Sequence, residues 1–354
     1  MVQPVHSRAF EGSSDLDPTP VPQAPQRPPA PQPVPRDPSQ IPDVSHYTAP
    51  PSARGSTGRS AAVSGPSAAG PSPVATGAIQ HRLDAFLARA TPVYHTREGD
   101  VPVAIPFRMS PGYAGHEGTV RNNTPALRAV ARSIGVSDGE VSFVQQGRAT
   151  PAQVRRLAQG LIDAGRLPKG GGTLADRVRQ MMFDHGLGLD CAGYARQAFA
   201  AAHPGASVAW RAPVNENLSG LAGRGFARLP LSDARAGDLI VLRPPSPSEP
   251  GHTLIVYATR EATEDDRKLL GEPGAKDVQV QAVARSSSLH VLVVDSSWGC
   301  NGDATRGGVR RVTLFEDRVS QQWVSVTKED RTYTIADTPY AHPVDGAYRL
   351  QGGH

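Results

Sequence analysis

Near Gly237 the spacing of apolar residues changes, and that change bounds the fold class. Upstream, Leu174, Val178, Met181 and Met182 recur at the intervals of one helix face, as do Ala195, Ala198, Phe199 and Ala202. Downstream, Asp238 to Leu242, Thr253 to Ala258, His290 to Asp295 and Gly308 to Leu314 are short runs rich in leucine or β-branched residues. Turns containing Pro, Gly, Ser or Asn separate most of them. Helices first and strands after predict an α+β domain with an antiparallel sheet, not a repeated βαβ unit.

Local signals place several elements. Thr124-Pro125, with Gly135 as a stop, predicts a helix near 125 to 134. Thr150-Pro151-Ala152-Gln153 is a capping box, and Val154, Leu157 and Leu161 continue as an apolar stripe that ends before Gly165. Lys169 to Gly172 reads as a hinge, followed by a helix from Leu174 that ends at Gly186. Asp190 then caps a helix from Cys191 to Ala202, which stops before His203-Pro204-Gly205. Val278 to Val283 is read as a further strand inside a long insertion, Arg260 to Ser288.

Composition limits how much of the 354-residue chain folds. Of its 34 prolines 17 lie in the first 80 residues, and residues 1 to 78 hold only Phe10 and Tyr47 as aromatics. Such a stretch buries too little apolar surface to offset chain entropy. The expected organisation is a disordered proline-rich arm (1–78), a small, mostly helical accessory region (79–169) and a catalytic domain (170–345). The net charge is +4, but 33 of the 37 basic residues are Arg and no basic stripe interleaves with aromatics, so no nucleic-acid partner is expected. With two cysteines, Cys191 and Cys300, no disulfide framework is expected, and zinc-site spacing is lacking. Met1 to Asp15 has no apolar signal core, and no run approaches a membrane span. The chain is expected to be cytoplasmic as synthesised, with any export following a signal-peptide-independent route.

One constellation carries chemistry. Cys191 falls in the first turn of its predicted helix, where unpaired N–H groups and the macrodipole favour thiolate. Ala192 and Gly193 are small and leave room for a substrate carbonyl and for N–H donors to an oxyanion. His252 opens an apolar strand and suits a general base. Asp295 closes another strand, where it would orient the imidazole and favour its charged form. Each has a plainer reading: a buried small residue, an edge histidine, a turn-initiating aspartate.

Asp190-Cys191-Ala192-Gly193-Tyr194 resembles the Asp-Cys-Ser-Gly-aromatic signature of the NlpC/P60 cysteine peptidases. Gly237-Asp238-Leu239, then Gly251-His252-Thr253-Leu254-Ile255-Val256-Tyr257, resembles that family's second block. Val293-Val294-Asp295 followed by Gly307-Gly308-Val309-Arg310 resembles its third. The likeness covers roughly Leu174 to Leu314. Departures are Ala192 in place of serine, the absence of the usual aromatic-glycine pattern before the cysteine, Arg260 to Ser288 as an insertion, and Asp295 where His is commoner.

The resemblance implies a papain-like fold, with a nucleophile helix packed on an antiparallel sheet. It also implies a reaction, amide hydrolysis through an acyl-enzyme with no metal or cofactor. Cys191 would be the nucleophile, His252 the base and Asp295 the orienter, with Asp190, Tyr194 and Trp298 at the substrate. The substrate class implied is the stem peptide of peptidoglycan, cut by a cysteine hydrolase. The absent signal core and the proline-rich arm fit an exported effector whose arm meets secretion machinery, while the arm equally reads as a spacer or as a ligand for another partner. Acyl transfer or glutamine deamidation on a protein, and a non-catalytic binding module, are the alternatives. Cys300, in a turn, is expected to be structural, and His185 to close its helix by charge.

Overall fold

The computed structural model describes residues 73–108, 116–206, 221, 225–242, 251–270, 283–298, 307–319, 323–329, 332–335 and 344–351. The expected arm therefore lies outside the described residues except at its end. Residues 73–78 belong to helix α1 (Pro73–Arg89), which buries Leu83 and Phe86. From Ala68 onward the chain is one compact unit.

Seven α-helices occur among the described residues. The helices after α1 are α2 (Glu117–Ser133), α3 (Asp138–Gln145), α4 (Pro151–Asp163), α5 (Leu174–Asp184), α6 (Cys191–Ala202) and α7 (Glu264–Leu270). Local chemistry sets most of their ends. Ser137, Thr150 and Thr173 each accept from the backbone N–H three residues on, and Glu140, Gln153 and Asp176 reach back to close a capping box. Gly165 and Gly186 end α4 and α5 with φ of 70° and 69°, where a Cβ would be strained.

Helix α2 departs from expectation. It begins at Glu117, so Pro125 lies in its interior rather than at its first position. The helix loses one backbone hydrogen bond there, yet it keeps Val120, Leu127, Val130 and Ala131 on one buried face. Thr124, the expected cap, donates its hydroxyl to the Val120 carbonyl at 2.8 Å.

A hairpin, β1 (Val93–Thr96) and β2 (Gly99–Pro102), precedes α2. The remaining strands are β3 (Phe226–Leu229), β4 (Leu239–Leu242), β5 (His252–Glu261), β6 (Leu289–Trp298), β7 (Gly308–Asp317), β8 (Trp323–Glu329), β9 (Thr332–Ile335) and β10 (Val344–Leu350). They form an antiparallel sheet in the order β3-β10-β4-β5-β6-β7-β8-β9. The strands read from sequence are β4 to β7. Strand β10 runs past the expected boundary at 345 and buries Tyr348.

Side-chain alternation gives the sheet two faces. Leu239, Val241, Ile255 and Val309 face the helices in a core shared with α1, α4 and α6. Ile240, Leu242, Leu254, Val256, Leu292 and Val294 form a separate cluster on the other face, with Trp298 packed against it. Leu127, Leu157 and Leu161 share the first core with Tyr194 and Phe199. The helical region expected to be accessory is thus part of the one domain, and the glycines after Lys169 form a loop within it.

The described part of the insertion after β5 has a core of its own. Helix α7 and its neighbours build a third cluster, Leu270, Val283, Leu289, Val291 and Phe315. That cluster sits at the start of β6, about 30 Å of strand from Trp298. Residues 278–282 of the expected extra strand lie outside the described residues. No helix among the described residues is long and apolar enough to cross a membrane.

Candidate functional site

Three separate segments hold the turn that leads into α6. Leu189 pairs with the strand-like segment at Phe107, donating to the Pro106 carbonyl at 3.0 Å and accepting from the Arg108 N–H at 3.0 Å. The Ser297 hydroxyl of β6 donates to the same Leu189 carbonyl at 2.7 Å. Asp190 N–H donates to Gly147 O, between α3 and α4, at 2.9 Å. Gly147 has φ of 75°, and a Cβ there would collide with the Arg108 carbonyl and the Asp190 nitrogen. The segment Gly147 to Ala149 is therefore a strap laid against the start of α6. Gln197 donates to Ala149 O at 2.7 Å and fastens its far end.

Asp190 takes extended backbone angles and caps α6 as expected, its Oδ1 accepting from Gly193 N–H. Its second oxygen is buried with no partner among the described residues. Burial pushes its carboxyl up to about 6, against the pull of the Gly193 bond and of Arg148 and Arg196.

Cys191 follows at the first helical position, buried at 8% exposure. Backbone hydrogen bonds from Thr253, from Ala192 and from Cys191 itself favour its ionised form. Burial opposes them, the neighbouring Asp190 carboxylate adds to it, and together they push the thiol up to about 12. The expectation that the helix N-terminus lowers this pKa is not met. The donors are in place, but removal of water outweighs them.

His252 is the first residue of β5, paired with Leu242, and precedes the Thr253 that meets the thiol. Its ring lies 4.8 Å from that of Trp298 at 45°. Trp298 donates its indole N–H to Arg310 O at 3.3 Å, which fixes the indole.

Asp295 is placed differently from expectation. It is fully buried opposite Ile255 on the helix side of the sheet, whereas His252 and Trp298 meet against the other face. Arg311, its cross-strand partner in β7, donates Nε to Oδ1 at 2.7 Å and Nη2 to Oδ2 at 2.9 Å. Both carboxylate oxygens are engaged, so the orienting role expected for Asp295 gives way to a buried bidentate ion pair. Arg311 also reaches Asp84 of α1 at 2.8 Å and lies 3.3 Å from the centre of the Tyr257 ring. The Tyr257 hydroxyl returns to Asp84 at 3.1 Å.

Tyr194 also differs from its expected place at the substrate. Its ring is fully buried, edge-on to Phe86 at 5.2 Å, so it packs α6 on α1. His185 caps the C-terminus of α5 and donates Nδ1–H to Met181 O at 2.9 Å. Burial lowers its pKa, so it closes the helix by hydrogen bonding rather than by the expected charge. Cys300 lies outside the described residues.

Sequence reasoning missed Arg311, Ser297 and the Gly147 strap. The pairing register of β6 and β7 would have exposed Arg311, and nothing local marks the strap. Comparisons with protein-family models, with characterised proteins and with solved structures found no match.

Proposed function

We propose that this chain is a cysteine hydrolase of amide bonds. The observation that carries the reading is the thiol of Cys191 in the first turn of α6, with backbone hydrogen bonds to its sulfur and contact with the strand at the residue after His252. The thiol is protonated at rest. His252 faces the Trp298 side of β5 in the free protein, so on substrate binding its ring must turn toward the thiol to take the proton as sulfur attacks the carbonyl carbon. His252 returns the proton to the leaving amine, and water then cleaves the thioester.

The likeness of its three blocks to NlpC/P60 peptidases favours stem peptides of cell wall as substrate and a papain-like arrangement. The proline-rich arm favours an exported protein. A secretion assay of tagged full-length and arm-deleted chains tests that, and retention of both in the cell rejects it.

The test of the hydrolase is mass spectrometry of cell-wall fragments incubated with the full chain, wild type beside Cys191→Ala. Stem-peptide products formed only by wild type support it. A non-catalytic module is the second reading, favoured by the pKa of the buried thiol and by the engagement of Asp295 with Arg311. Absence of products with a folded sample, together with full biological effect of Cys191→Ala, selects it.

A further inference from the structure

Arg148 of the strap and Arg196 of α6 stand together, the Arg196 Nη2 reaching the Arg148 carbonyl at 3.4 Å. Both side chains are partly buried. Arg148 Nε is shielded from water with no partner among the described residues. Other arginines near the site are matched to carboxylates, Arg108 to Glu117 and Arg311 to Asp295 and Asp84. The carboxylate that acts on both Arg148 and Arg196 is Asp190, and it does so through charge alone. Its Oδ1 is occupied by Gly193, and with a pKa of about 6 its carboxyl supplies close to one negative charge at neutral pH. Two guanidiniums repelling each other across that single carboxylate leave about one positive charge unmatched.

We propose that Arg148 and Arg196 form an anion subsite that takes a carboxylate of the substrate. A single negative charge completes the balance, whereas a phosphate dianion beside Asp190 exceeds it. Gly193, which faces the strap, and Arg196 share the side of α6 turned from the sheet. A substrate lying across the helix N-terminus thus brings its carbonyl to Cys191 and its carboxylate to the arginines. The assignment to a substrate rests on the hydrolase reading; the anion subsite itself does not.

The test is an NMR titration of the side-chain Nε–H signals in the full chain, with the monocarboxylate N-acetylalanine as probe. Its neutral primary amide, inorganic phosphate and sodium chloride at equal ionic strength are the comparisons. Saturable shifts of Arg148 and Arg196 with N-acetylalanine, weakened about tenfold in Arg148→Gln and in Arg196→Gln, support the subsite. No shift, equal response to the neutral amide, tighter binding of phosphate, or binding that survives the folded double variant overturns it. Probe binding without hydrolysis of any amide sinks the hydrolase reading and leaves the subsite standing. Hydrolysis that is indifferent to a substrate carboxylate overturns the substrate assignment alone.

Discussion

Arg311 and Asp295 face each other across β6 and β7 and share two hydrogen bonds, at 2.7 and 2.9 Å, with the carboxylate fully buried. A buried pair of this kind contributes little beyond well-packed apolar residues, but losing one partner strands the other. Arg311→Ala is expected to cost about 3–5 kcal/mol, and Arg311→Met with Asp295→Leu to recover most of it. Denaturant unfolding of the three proteins checks this. Equal loss in the single and double variants would count against the pair.

Asp190 makes stability fall as pH rises. Its folded pKa, about 6, lies above the ordinary 3.8, so between those values the native state binds more protons than the unfolded chain. The loss across that window is on the order of 3 kcal/mol. Asp266 has its carboxyl held down to about 2 by Arg260 and Thr263, so its contribution is lost as pH falls from 3.8 toward 2. Unfolding curves from pH 3.5 to 7.5 should show the decline in wild type and a flatter profile in Asp190→Asn. Identical profiles would contradict it.

Cys191 should alkylate slowly at neutral pH. A thiol at about 12 is ionised on the order of one part in ten thousand at pH 8. In a Cys300→Ser background the iodoacetamide rate is expected to climb with pH and reach no plateau below pH 10. A plateau at pH 7 would show that the ionised thiol dominates the free protein.

Gly147 is the tightest position in the strap. With φ of 75° and no space for a Cβ, Gly147→Ala is expected to destabilise by more than about 2 kcal/mol. The same substitution should speed Cys191 alkylation, because the displaced carbonyl holds Asp190 N–H. Thermal unfolding and the alkylation rate together check it, and unchanged values of both would remove the strap from the account.

Helix α6 was legible because each of its signals is local: an aspartate cap, small residues in the first turn and His-Pro-Gly beyond the end. Strands β4 to β7 were legible from their period. The start of α2 was not, since Pro125 mimics a first helical position while the apolar stripe already begins at Val120. Asp295 was legible as the polar end of an apolar strand, but not as half of an ion pair. Its partner is 16 residues on, and only the β6–β7 register brings the two together. The anchoring of the turn before Cys191 depends on a strap more than forty residues upstream, which no spacing near the cysteine encodes.

Strand β10 lies between β3 and β4, although it follows β9 in the chain. During synthesis β3 and β4 leave the ribosome with an empty lane between them, and β3 has no sheet partner until residues 344–350 appear. The sheet that presents His252 is therefore completed only after residues 344–350 have left the ribosome. A message cut short before that point leaves β3 unpaired and β4 as an open edge beside the strand that carries His252.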